Sequence, residues 1–140
     1  MKNILTAVLI MVTAMQATAQ ETTTIFINKI KSASCTVTEG QTAASIVLNK
    51  KQVKNAKEIM VQVQSSWVTN EVYKKEIEVE TAQSIVLQEV KGKPGFFNIT
   101  KAKAALQKGK NINLYLLLNP ANSKMLIPSR RIYLGTFAVK

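Results

Sequence analysis

Hydrophobic residues recur at every second position in short segments separated by turn residues. Ile59, Val61, Val63, Ser65 and Trp67 point one way, and Met60, Gln62, Gln64 and Ser66 the other. Tyr73, Ile77 and Val79 alternate with Lys74, Glu76, Glu78 and Glu80, and Ala44, Ile46 and Leu48 with Ser45 and Asn49. A repeat of two is the side-chain repeat of a half-buried strand, and it rules out an amphipathic helix over the same residues. Further strands are expected at Ser84–Val90, Ile112–Leu118 and Ile132–Val139, with Ile112–Leu118 central because it is strongly apolar. Ile25, Ile27, Ala33, Cys35 and Val37 share odd positions, which predicts a first strand in two halves with a bulge or sheet switch near Ile30.

Glu39-Gly40-Gln41, Gly92-Lys93-Pro94-Gly95 and Asn119-Pro120-Ala121-Asn122 read as turns, and Ile127-Pro128-Ser129 interrupts any strand there. Lys50–Lys57 reads as a polar loop. Phe96, Phe97 and Ile99 are expected to supply core bulk. Thr100–Lys108 is the one helical segment: Thr100 is placed to cap it, Ala102, Ala105 and Leu106 to face the core, and Gly109 to end it. The expected fold is all-β, a single antiparallel sandwich of seven or eight strands with one short crossover helix. The segment from Leu106 through Gly109 to Tyr115 resembles the E-to-F corner of immunoglobulin-like and fibronectin type III-like domains, where a Leu, a Gly and an alternating strand with Tyr follow in that order. The resemblance covers about ten residues. It implies an immunoglobulin-like sandwich and no particular function.

Ahead of the strands, Lys2 is followed by an apolar and small stretch from Ile4 to about Met15, then Ala17-Thr18-Ala19. A basic start, a short apolar run and small residues two apart are the three parts of a cleavable export signal, so residues 1–19 read as a signal peptide and residues 20–140 as one domain. The run is shorter than the roughly 20 residues a spanning helix needs, and no later stretch is long enough. The expected location is periplasmic or extracellular.

Composition then limits the chemistry. The 140 residues hold no His and no Asp, and Cys35 is the single cysteine. Ser-His-Asp and Cys-His catalysis, an aspartic dyad and an EF-hand loop are excluded, and zinc loses its commonest ligand. Cys35 has no internal disulfide partner and alternates with apolar residues, which places it in the core as a small apolar group. No glycine-rich phosphate loop is present, and no metal or other cofactor is expected.

Three constellations remain. Glu76, Glu78 and Glu80 lie on one strand face about 6.8 Å apart at successive pairs, within the range of about 6.5–9.5 Å for paired carboxylates of inverting glycosidases. They oppose Ile77 and Val79, so a solvated face with small pKa shifts and pairing to Lys74 and Lys75 is the expectation. The second constellation is basic. With Lys2 set aside with the leader, 18 Lys and Arg face 8 Glu, a formal charge of +10. Lys101, Lys103, Lys108, Lys110, Arg130 and Arg131 are the candidate patch, with Lys50, Lys51, Lys54, Lys57, Lys91 and Lys93 nearby in the chain. Such a field attracts polyanions, though scattered Lys also keeps sheet edges from pairing. Lys far outnumbers Arg, which argues against sequence-specific nucleic-acid reading. The third is aromatic: Tyr115 and Tyr133 fall opposite the leucine-rich faces of their strands and are candidates for a ligand groove, whereas Trp67 continues an apolar face. Asn98-Ile99-Thr100 matches the glycosylation acceptor pattern.

These features favour a non-catalytic interaction module of the bacterial cell envelope, contacting a protein partner or an anionic surface polymer. A carbohydrate-binding domain using exposed aromatics is the second expectation, and a small hydrolase or hydrolase inhibitor the third.

Overall fold

A computed structural model describes residues 20–38, 40–41, 43–65, 72–81 and 83–140. The leader reading and the placement of Trp67 lie outside the described residues.

The described residues form nine strands: β1 (Gln20–Ile27), β2 (Ile30–Thr38), β3 (Ser45–Leu48), β4 (Ile59–Ser65), β5 (Tyr73–Glu80), β6 (Ser84–Gln88), β7 (Phe96–Asn98), β8 (Ile112–Pro120) and β9 (Arg130–Val139). Two sheets result, a four-stranded one in the order β2-β1-β4-β7 and a five-stranded one in the order β3-β9-β8-β5-β6. Alternate residues of both sheets meet in one core. Ile25, Ile27, Ile59, Val61 and Phe97 come from the first sheet, and Ile46, Ile77, Val79, Leu114, Leu116 and Phe137 from the second. The all-β expectation holds, and Ile112–Leu118 is central, flanked by β5 and β9. One pairing departs from a purely antiparallel fold: β3 runs parallel to β9, Ser45 opposite Thr136 through Leu48 opposite Val139.

The predicted first strand in two halves is instead two strands joined by a tight hairpin. Asn28 and Lys29 both take positive φ, 52° and 68°, as the two central residues of a type I′ turn must. Asn28 also binds the distant segment before β4. Its Oδ1 accepts from the backbone N–H of Lys57 at 2.8 Å and of Glu58 at 3.1 Å, and its Nδ2 donates to the Asn55 carbonyl at 3.3 Å.

Two short helical pieces lie between strands. The segment Thr100–Ala102 is a 3-10 turn that runs into α2 (Lys103–Gln107), with Ala102 and Leu106 fully buried. Gly109, at φ +72°, ends it, its N–H donating to the Leu106 carbonyl. Thr100 does not cap this helix. Its Oγ1 accepts from the Ile59 N–H at 3.0 Å and donates to Asn98 Oδ1 at 2.6 Å, so it anchors the turn to β4. Lys50–Lys54, expected as loop, forms α1, capped by Asn49 Oδ1 on the Lys51 and Gln52 N–H groups and held down by buried Val53.

β9 contains a bulge opposite Leu114 and Tyr115 of β8. Before it, Arg131 and Tyr133 face outward. After it, Thr136 faces outward and Phe137 is buried. The extra residue therefore puts Tyr133 and Thr136, three apart in sequence, on the same side of the sheet. Gly135 occupies the bulge at φ +148°.

Candidate functional site

The turns at one end of the two sheets are joined by hydrogen bonds. Asn28 holds Asn55, Lys57 and Glu58, the Lys50 N–H donates to the Lys140 carbonyl at 2.9 Å, and the Ile99 N–H donates to the Ile59 carbonyl at 2.9 Å. The two helices pack against each other there. These segments carry Lys29, Lys31, Lys50, Lys51, Lys54, Lys57, Lys101, Lys103, Lys108, Lys110 and Lys140. All are exposed except Lys103, which is half-buried and donates from Nζ to the Ala56 carbonyl at 2.7 Å. The one acid in these segments is Glu58.

This end thus carries eleven lysines and one glutamate, a formal +10. Elsewhere the described residues hold seven basic and five acidic side chains, a formal +2. Most of the excess charge of the described residues is gathered at one pole. Charges closer together than the Debye length of roughly 8–10 Å act jointly on a ligand, and a pole of one sign draws in a polymer of the other.

Lys101, Lys103, Lys108 and Lys110 belong to this pole, together with the Lys50–Lys57 group. Arg130 and Arg131 do not. They pair with Leu118 and Leu117 at the far end of β8 from Ile112. Five residues of strand separate Leu117 from Ile112, roughly 17 Å. The six-residue basic patch expected from the sequence is therefore divided between two places.

Arg131 lies on the outer face of the five-stranded sheet, in a network with Glu78, Glu80 and both tyrosines. Its Nε donates to Glu78 Oε1 at 3.0 Å, its second nitrogen pairs with the same oxygen, and its carbon lies 3.6 Å from the Tyr115 ring centroid. Glu80 Oε2 accepts from Asn113 Nδ2 at 3.0 Å and from the Tyr115 hydroxyl at 3.2 Å. The Thr136 hydroxyl donates to Asn113 Oδ1 at 2.7 Å and is 2.6 Å from the Tyr133 hydroxyl, which also donates to the Ala44 carbonyl at 3.1 Å. Tyr115 and Tyr133 meet edge to face at 5.7 Å. The network ties β5, β8 and β9 to the segment before β3.

The expectation of small shifts on this face fails at Glu80. Hydrogen bonds from Asn113 first and Tyr115 second hold its carboxyl below the ordinary value, with a smaller contribution from Arg131. Burial and the bond to Glu80 raise the Tyr115 phenol. Lys74 pairs with Glu76 at 3.6 Å as expected, but the partner of Glu78 is Arg131. Tyr115 and Tyr133 do face outward, yet their rings contact each other and the Arg131 guanidinium stacks on Tyr115, so they form no open stacking platform.

No family model, curated protein or solved structure matches this chain.

The sequence reading places Phe96 in the core and does not single out Phe26. Phe97 and Ile99 are buried as expected, but Phe96 points to the opposite face of its strand and is half-exposed. There it meets Phe26, also half-exposed, at 6.1 Å between ring centroids. The signal was present in β1, where Phe26 stands between buried Ile25 and Ile27 and must face outward. Cys35 is half-buried, and burial raises its thiol.

Proposed function

We propose that this chain is an exported, non-catalytic binding module of the bacterial cell envelope, periplasmic or extracellular, that grips an anionic surface polymer with its basic pole. The observation that carries the proposal is the segregation of charge: eleven lysines and Glu58 at one end, a formal +10, against a formal +2 over the described residues elsewhere. Lysines placed only for solubility have no reason to gather at one end. The export signal read in residues 1–19 supports a location where such polymers occur.

The strand order supports an immunoglobulin-like sandwich. β9-β8-β5-β6 stands across the core from β1-β4-β7, the order in which a variable-type domain sets G-F-C-C′ across from A-B-E. Against it, β2 lies outside β1 as an added edge strand, and the Tyr115 hydroxyl bonds Glu80 instead of nearby backbone. A non-catalytic role agrees with the acid–aromatic face. A carboxylic acid that donates protons near neutral pH needs a raised pKa, whereas Glu80 is lowered and Glu78 is held by Arg131.

The test is retention of the purified protein on immobilised heparin, lipopolysaccharide and acidic polysaccharide at low salt, alongside co-purification from the native envelope. Binding that falls steeply with salt is the expected result. Absence of binding to every polyanion would refute the proposal, and a co-purifying protein held equally at high salt would replace it with a protein-partner role.

A further inference from the structure

We infer that the outer face of the four-stranded sheet carries a sugar-binding cleft, so that the anionic polymer is an acidic glycan. One sugar ring stacks on Phe26 and Phe96 while its carboxylate or sulfate lies between Lys29 and Lys93. The inference rests on the basic-pole reading and names the polymer class.

A cleft of about 520 Å³ opens on this face, with Phe26, Met60, Val90 and Phe96 as its floor and Lys29 and Lys93 beside them. The size falls within the range of small-ligand sites. Register places Phe26 opposite Met60, Met60 opposite Asn98, and Gln62 opposite Phe96, so the apolar groups come from three adjacent strands. Aromatic rings left half-exposed on a sheet face present apolar surface that a partner with an apolar face would cover. The remaining lining is polar. Asn98 Oδ1 accepts from the Thr100 N–H at 3.0 Å and the Thr100 hydroxyl at 2.6 Å, which leaves its Nδ2 hydrogens for a ligand. Glu58 supplies carboxylate acceptors for hydroxyl groups.

The ligand that fits has an apolar face, several hydroxyls and a negative charge. A uronic or sulfated sugar has all three. A polyphosphate has only the charge, and an acyl chain has no use for Asn98 and Glu58. Lys29 belongs to both the cleft and the basic pole, so a chain seated in the cleft continues over the other lysines without a break.

Calorimetric titration with heparin or polygalacturonate oligosaccharides, and separately with inorganic polyphosphate of matched charge, tests the inference on the native protein and on Phe26→Ala, Phe96→Ala and Phe26→Leu. Phe26→Leu keeps most of the apolar volume and guards against a folding defect in the alanine variants. Each of the three should weaken glycan binding by about tenfold, a 1.4 kcal/mol loss, while polyphosphate affinity stays within about twofold. Lys29→Gln with Lys93→Gln should weaken the glycan more than the polyphosphate. Equal losses for both ligands, or unchanged glycan affinity in the Phe variants, would overturn the cleft and leave the basic pole standing. Failure of the native protein to bind either polyanion would overturn both.

Discussion

Replacing Gly135 with alanine tests how the bulge in β9 builds the outer network. A Cβ at this position would lie 2.8 Å from Ile46 Cδ1 and 3.1 Å from Ile46 Cγ1. Ile46 is 1 % exposed and fixed in β3, so it has little room to yield. The backbone at φ +148° is also one that side chains other than glycine rarely adopt. Overpacking of this kind costs about 1–3 kcal/mol, and a strained backbone position about the same again. The smaller entropy of an unfolded alanine chain returns about 0.4–1 kcal/mol. The net expectation is a loss of about 1–5 kcal/mol, which at roughly 4 °C per kcal/mol for a domain of this size lowers Tm by about 4–20 °C. The assay is a double-mutant cycle by urea denaturation. Ile46→Val alone should cost about 0.5–1.5 kcal/mol. Combined with Gly135→Ala, it removes Cδ1, the atom the new methyl would strike, so the double variant should be more stable than the sum of the two losses predicts. A Gly135→Ala protein as stable as the native one, or strict additivity in the cycle, would refute the argument that Gly135 is held by close approach to Ile46.

Other consequences follow from the same geometry. The Glu80 carboxyl is lowered in the folded state, so its contribution is present above the ordinary Glu pKa and is lost as pH falls through the lower folded value; Glu80→Gln should flatten the loss of Tm between about pH 5 and pH 3, and an unchanged acid limb would contradict this. The Tyr115 phenol is raised by burial and by Glu80, so Glu80→Gln should move one tyrosine transition to lower pH in an ultraviolet titration, and no movement would show that the bond is absent. Leu106→Ala empties the fully buried contact of α2 and should cost about 2–5 kcal/mol by denaturant unfolding; a loss below about 1 kcal/mol would mean that α2 is not part of the core. Burial raises the Cys35 thiol, so its reaction with a disulfide reagent should be slow in the native protein and fast in urea, and equal rates would place Cys35 at the surface.

Sequence periodicity made the core legible. Ile59, Val61 and Val63, Ile77 and Val79, and Ile112 through Leu118 sit where a repeat of two puts them, because each strand buries one face only. The hairpin at Asn28–Lys29 was hidden because its turn has Lys where glycine is usual; the bonds from Asn28 to the segment before β4, distant in sequence, hold the turn in place of local propensity. Helix α1 was hidden because five residues carry too little pattern, and its support is the Asn49 cap and one buried contact, Val53. The bulge decided the outer network, since no alternation rule aligns Tyr133 with Thr136. The basic residues were visible, but their grouping was not. Only the pairing of strands sends Arg130 and Arg131 to one end of β8 and Lys108 and Lys110 to the other.

The central claim is that the charge of the pole, and not charge in general, binds a polymer. The direct measurement compares two charge-matched variants by the slope of log Kd for heparin against log salt. One carries Lys51→Gln, Lys54→Gln, Lys101→Gln and Lys108→Gln at the pole, and the other Lys74→Gln, Lys75→Gln, Lys91→Gln and Lys124→Gln elsewhere. Each phosphate-like contact contributes about 0.7–0.9 to the slope, so if most of the four pole lysines engage the polymer, the first variant should lose about 2–3 from it. The second variant should keep the native slope. Equal losses in the two variants would show a diffuse field with no binding pole and would contradict the account.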